Sequence, residues 1–207
     1  LSNVEILRKF LKDINFKCEI NVIDLNRKKL NYISEKLNVF SYKSNSLEEN
    51  TYNSLKFSYK LCKKKVCIGI ITLPIRKDLI QKKIDKKFVG HTEYYQKLDK
   101  KKNSNMILYH DNIIISPITT HLELKKFSKI ISNKKFLYNQ LFNLYQTLKN
   151  DFNIKHPNII VSGINPHAGE KGEIGTEEVF SITPCIKKLK KNGIKIEGPY
   201  SADSLLI

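Results

Sequence analysis

Two of the chain's five histidines follow strand-like apolar runs: His121 comes after Ile113 to Ile118 and Thr119-Thr120, and His167 comes after Ile159-Ile160-Val161. Neutral imidazole is the commonest metal ligand, so two such loops could bring both rings to one divalent ion. The spacing of 46 residues (167 − 121) is not a metal signature. By residue type and spacing alone, each ring is better explained as a hydrogen-bonded structural group. The segment around His167 carries more. Gly163-Ile164-Asn165-Pro166-His167-Ala168-Gly169-Glu170, with Gly172 and Gly175 beyond, connects an apolar β-branched run to the helix-opening signal Thr176-Glu177-Glu178. Loops leaving the carboxyl ends of strands build the site in open α/β sheets, and glycine lets such a loop turn sharply and approach a ligand closely. Three more polar groups stand at the ends of strand-like runs: Thr72 to Lys77, Gly90-His91-Thr92-Glu93 and Thr119-Thr120-His121. His110 and His156 lie beside turn residues and are expected at the surface.

The elements that must position these groups alternate between helix and strand. Ser2-x-x-Glu5 is a capping box, and Leu7, Phe10, Leu11 and Ile14 follow at helical spacing. A strand is expected from about Cys18 to Ile23, and Ser41 to Asn50 is polar and loop-like. Tyr52, Leu55, Tyr59 and Cys62 share a helical face that leads into a strand from Val66 to Ile71, ended by Pro74. Strands near Met106 to Tyr109 and Ile113 to Ile118 are joined by Asp111-Asn112, a hairpin signal. Leu137, Leu141, Leu144 and Leu148 mark the clearest amphipathic helix. The last helix sets Val179, Ile182, Ile186 and Leu189 on one face, contains Pro184, where a kink or a break is expected, and stops at Asn192-Gly193. A strand from Ile194 to Ile196 then leads to Gly198-Pro199. Such alternation predicts an α/β fold with a largely parallel sheet and some antiparallel strands.

Composition narrows the function classes. A hydrophobic content of 41% and a charged content of 28% over 207 residues suit a globular protein with a sizeable core. No apolar run is long enough to span a membrane and no signal-peptide pattern opens the chain, so a cytoplasmic protein without membrane partners is expected. The chain begins at Leu1 inside a helical pattern and ends on an apolar run, which reads as a piece of a longer protein. Its net charge of +17 comes from 37 basic residues, of which Arg8, Arg27 and Arg76 are the three arginines, leaving 34 lysines. Nucleic-acid readers lean on arginine and concentrate their charge on one face, so a nucleic-acid partner is not expected. Lys63-Lys64-Lys65 and Lys100-Lys101-Lys102 read as solvated loops. Cys18, Cys62, Cys67 and Cys185 make no C-x-x-C pair or disulfide framework, and Cys18 and Cys67 are expected in the core.

Taken together, six motifs carry a specific resemblance. They are Thr72-Leu73-Pro74-Ile75-Arg76-Lys77, Gly90-His91-Thr92-Glu93-Tyr94-Tyr95, Thr119-Thr120-His121-Leu122, Gly163 to Glu170, Gly175-Thr176-Glu177-Glu178 and Gly198-Pro199-Tyr200-Ser201-Ala202-Asp203. In this order, from about Val66 onward, they resemble the 4-hydroxythreonine-4-phosphate dehydrogenase family of vitamin B6 biosynthesis. The resemblance implies two α/β/α lobes with mixed, largely parallel sheets, like those of isocitrate and isopropylmalate dehydrogenases. It also implies a homodimer that uses NAD (or NADP) and a divalent metal (Zn, Mg or Co). Its reaction would oxidise 4-phosphooxy-L-threonine to 2-amino-3-oxo-4-phosphooxybutanoate, which decarboxylates to 3-amino-2-oxopropyl phosphate. By the same resemblance His91 and Thr92 bind substrate, and His121 and His167 bind the metal together with a third histidine from the partner subunit. Lys77, Asn165, Glu170 and Asp203 are candidates for support around the site, Lys77 by contacting a phosphate or carboxylate. Residues 1–88 would form an incomplete N-terminal lobe, and 89–207 a central lobe carrying the metal and substrate loops, with its C-terminal part missing.

The chain also departs from the family pattern. It stops before the third metal histidine and before the Lys, Asn and Arg that complete substrate binding, so the 207 residues alone are expected to be inactive. It lacks the family's glycine-rich N-terminal strand-loop. Arg76 stands where the family has Asn or His, and Leu73 where it has a small residue. No G-x-G-x-x-G follows a first strand, so the cofactor site is unassigned. The alternatives are a related metal-dependent dehydrogenase of threonate or erythronate 4-phosphate, or of aromatic dihydrodiols, and a non-catalytic remnant of the fold.

Overall fold

The computed structural model describes residues 1–24, 30–101, 103–111, 113–120, 122–168, 172–203 and 205. It is an α/β protein that divides into two compact units, Leu1–Lys100 and Lys101–Ile207. Among the described residues no helix is long and apolar enough to cross a membrane.

The first unit begins with α1 (Val4–Asp13), followed by β1 (Ile20–Ile23) and β2 (Leu37–Phe40), which pair in parallel. The expected Ser2 capping box gives way to Asn3. Ser2 is drawn into a parallel bridge with Ser41, so its backbone lies outside the helix, and Asn3 Oδ1 accepts from Glu5 N–H at 2.8 Å and Ile6 N–H at 3.2 Å. The polar stretch expected as loop already contains a helix start. Ser46 caps α2 (Leu47–Lys63) by accepting from Glu49 N–H, while the Glu49 carboxylate reaches back to Asn45 N–H at 2.7 Å. Inside α2, Leu55 packs with Ile80 of α3 (Lys77–Lys83), Phe88 and Tyr94 of α4 (His91–Leu98), and Tyr52 meets Tyr94 edge-on at 5.2 Å.

The strand expected from Val66 to Ile71 does not form: these residues pair with no described strand, and Ile68 and Ile71 are fully exposed. A β-branched run supplies the propensity, but a strand also needs a partner ladder for its N–H and C=O groups. Cys18 is likewise exposed and Cys67 only half-buried, whereas Cys185, in the second unit, is the buried cysteine, its thiol pushed up to about 11 by desolvation.

The second unit opens with the expected hairpin, β3 (Leu108–His110) against β4 (Ile113–Ile115), with Asp111 in the left-handed region at φ 50°. Helix α5 (Leu124–Ile131), unforeseen in the sequence, precedes α6 (Lys134–Asn150). All four leucines of α6 foreseen at helical spacing are buried, and they pack on β5 (Ile159–Ser162) and α7 (Thr183–Lys191). Burial alternates along β5, with Ile159 and Val161 inward. Strand β6 (Ile196–Tyr200) pairs with β5 in parallel, Ile159 opposite Ile196. It starts later than expected and runs through Gly198-Pro199, a cis peptide. Gly193 ends α7 at φ 78°, as its position implies.

Ahead of α7 the chain makes one π-helical turn, Glu178–Ile182, in which Thr183 N–H reaches the Glu178 carbonyl. The disruption expected at Pro184 is therefore absorbed one turn earlier. Pro184 sits in the first turn of α7, where no N–H partner is needed, and the π turn takes up the offset. This winding rotates the inward face. Val179, expected inside, is 41% exposed, while Glu178 is 3% exposed.

Candidate functional site

In the first unit the chemistry gathers around Gly90. His91 opens α4, and its Nε2 is buried with no hydrogen-bond partner among the described residues. Lys77, the first residue of α3, and Glu93 both lean over Gly90. A Cβ there would stand 3.4 Å from Lys77 Nζ and 2.9 Å from Glu93 Oε2. The missing side chain is what lets both charges approach. His91 is held below the ordinary imidazole range, first by burial and then by the Lys77 charge, with Glu93 opposing. A neutral ring with a buried, unpaired nitrogen is a hydrogen-bonding position ready for a ligand oxygen, because such an atom is otherwise costly to bury. Thr92 is exposed in the same first turn. The structure therefore brings Lys77, His91, Thr92 and Glu93 to one place. Arg76, beside them in sequence, is engaged by Asp78 through a 2.7 Å ion pair.

In the second unit the loop after β5 is fixed through its backbone. Gly163 N–H donates to the Tyr200 carbonyl at 2.7 Å, Ile164 N–H to Glu178 Oε1 at 2.9 Å, and His167 N–H to Asn165 Oδ1 at 3.0 Å. Gly163 has no room for a side chain: a Cβ would lie 2.8 Å from both Ala168 Cα and Ala168 Cβ. Gly198, opposite, sits at φ 113°, and a Cβ there would collide with the Val161 carbonyl oxygen. The His167 ring is exposed, so its nitrogens are accessible to a ligand. Asn165 thus supports the backbone of His167, and Asp203 is exposed after β6. His121 and Glu170 lie outside the described residues. Among the described residues no group of three His, Cys, Asp or Glu side chains is arranged to hold a metal.

The model of the family described as pyridoxal phosphate biosynthetic protein PdxA matches residues 2–207. The chain belongs to this family. It is 34% identical over 211 residues to the 4-hydroxythreonine-4-phosphate dehydrogenase of Wigglesworthia glossinidia brevipalpis, an alignment taking in 97% of this chain and 63% of that protein. The protein of the same name from Neisseria meningitidis serogroup A is 37% identical over 139 residues, 66% of this chain and 42% of its own length. The chain thus spans less than two thirds of the curated PdxA relatives it matches. The crystal structure of 4-hydroxythreonine-4-phosphate dehydrogenase from Klebsiella pneumoniae superposes with a TM-score of 0.85 at 22% identity, covering 98% of this chain and 65% of that one. That likeness shows a common fold.

Sequence reasoning missed two residues that matter to the PdxA motifs. Glu178 was legible as a first-turn acid favoured by the helix dipole, but not as the buried acceptor for the His167 loop. Ser128, on α5, donates to Glu177 Oε1 at 2.5 Å and with it holds the Glu177 carboxyl below its usual range. The adjacent acids were the available signal.

Proposed function

We propose that the full-length protein is a cytoplasmic, metal-dependent 4-hydroxythreonine-4-phosphate dehydrogenase of pyridoxal phosphate biosynthesis. It oxidises the secondary alcohol of 4-phosphooxy-L-threonine, passing a hydride to NAD or NADP and releasing a proton. The resulting 3-oxo acid loses carbon dioxide to give 3-amino-2-oxopropyl phosphate. The observation that carries this reading is the family match across residues 2–207, which runs through every motif named above.

The residues fit the parts of such a reaction. His91 offers its unpaired Nε2 and Thr92 its hydroxyl to the substrate, and Lys77 brings a positive charge beside them for the phosphate or carboxylate. Imidazole suits divalent ions, and the exposed His167 ring on a fixed loop meets that need. His121 and His167 would hold the ion, with a third histidine from the partner subunit of a homodimer. When bound, a divalent ion acts as a Lewis acid that stabilises negative charge on the reacting oxygen. Asn165 keeps the backbone of His167 in place, and Glu170 and Asp203 remain supporting candidates. The division into an N-terminal lobe at 1–88 and a central lobe at 89–207 belongs to the same proposal.

The test follows NADH absorbance in the metal-loaded full-length protein with 4-phosphooxy-threonine, then with threonate and erythronate 4-phosphates. Turnover greatest with the amino acid is expected. Turnover with the sugar-acid phosphates alone would reassign the substrate, and silence with all three in a folded, metal-bound protein would sink the enzyme reading.

A further inference from the structure

We propose that Glu177 and Glu178, at the start of a single π-helical turn, are positioning residues which brace the loop carrying His167 and the helix that follows the His121 motif. The inference rests on the dehydrogenase reading only for what the two histidines do; the brace itself is read from the described residues.

Glu178 is 3% exposed, and its Oε1 receives Ile164 N–H at 2.9 Å. Ile164 lies between Gly163, which is tied to Tyr200, and Asn165, which takes the His167 N–H. Glu177, one residue earlier, receives the Ser128 hydroxyl at 2.5 Å from α5, a helix that starts three residues after His121. From the same turn, the Ser181 hydroxyl donates to the Ser132 carbonyl at 3.4 Å, just past the end of α5. Adjacent side chains thus reach the loop that bears His167 and the helix that follows the His121 motif.

The winding is what makes this arrangement possible. A carboxylate is expensive to bury and Val179 is the natural core residue, yet the π turn places Glu178 inside and leaves Val179 41% exposed. Ordinary α winding would keep Val179 on the face shared with Ile182, Ile186 and Leu189. The unfavourable exchange is offset by a charge-assisted bond to a loop amide that would otherwise need another partner.

The experiment measures amide hydrogen exchange in the metal-free full-length protein, together with zinc affinity and melting temperature, in Glu178→Leu, Glu178→Gln and Ser128→Ala. In Glu178→Leu, exchange at Ile164 and His167 should rise about tenfold or more while the amides of α6 stay protected. Zinc binding should weaken by about tenfold, the range seen when a supporting residue behind a ligand is lost. Glu178→Gln keeps a neutral acceptor and should recover most of both, with exchange at Ile164 about two- to fivefold above the parent. Ser128→Ala should loosen α5 by a smaller factor and leave 163–168 unchanged. A loosened loop with unchanged zinc affinity would support the brace and remove the metal role of His167. Unchanged exchange at Ile164 in Glu178→Leu would overturn the brace. If that variant does not fold, no rise at Ile164 in Glu178→Gln overturns it instead.

Discussion

Where the His91 ring lies half-buried with its Nε2 unpartnered, the His167 ring stands exposed on a loop whose backbone is tied at Gly163, Ile164 and His167. The surroundings differ in the same sense. Gly90 is bordered by the flexible ends of Lys77 and Glu93, while Gly163 abuts the backbone of Ala168. One histidine is tuned by burial and then by neighbouring charges, the other stands on a loop held through backbone hydrogen bonds. A group that must make one hydrogen bond in a chosen protonation state gains from nearby charges. A ligand that must meet an ion at a set distance gains from a loop with no slack.

The largest effect that would sharpen this contrast is loss of His167. In the full-length protein His167→Ala, and equally His121→Ala, should lower zinc affinity and turnover together by at least about 100-fold with the melting temperature unchanged, since even residues behind a ligand are worth 10–100-fold. Full turnover in either variant without added metal would end the metal assignment. Next comes Gly163→Ala, where a Cβ at 2.8 Å from backbone must displace the loop. A loss of about 2–3 kcal/mol in denaturant unfolding is expected. Gly90→Ala should cost about 1 kcal/mol or less, because Lys77 and Glu93 can swing aside and φ 175° is ordinary extended backbone. Equal losses at the two glycines would break the comparison.

Smaller effects concern His91. Its folded form is held below 6.5, so the unfolded chain binds the proton first as the pH falls. The contribution of His91 to stability is thus complete above 6.5 and is lost as the pH drops through the lowered value. Lys77→Met should raise the titration midpoint of the His91 ring, followed by NMR, and Glu93→Gln should lower it. Opposite signs would show that other charges set the ring. The midpoint is expected to move less in either variant than burial alone moves it, because desolvation is the leading cause.

Much of this architecture was legible in local patterns. The four leucines of α6, the antiparallel pairing of β3 with β4 and the stop at Gly193 depend on interactions within a few residues, and each took the expected form. The His167 motif was recognisable because Gly163 and Asn165 act within the loop itself. The misses share a cause. Val66 to Ile71 has the composition of a strand without a described partner, and Ser2 loses its capping role to a bridge with Ser41, 39 positions away (41 − 2). The helix start at Ser46 was hidden by a polar stretch whose capping residues resemble those of a loop.

By itself the sequence determined the α/β alternation, the loop that carries His167, and membership of the PdxA family, since periodicity and short motifs are written in consecutive residues. Only the tertiary structure decided that Lys77 and Glu93 crowd the side-chain-free Gly90, and that a π turn puts Glu178 rather than Val179 inside. Those choices turn on which distant backbone groups need partners and where space remains once the helices have packed.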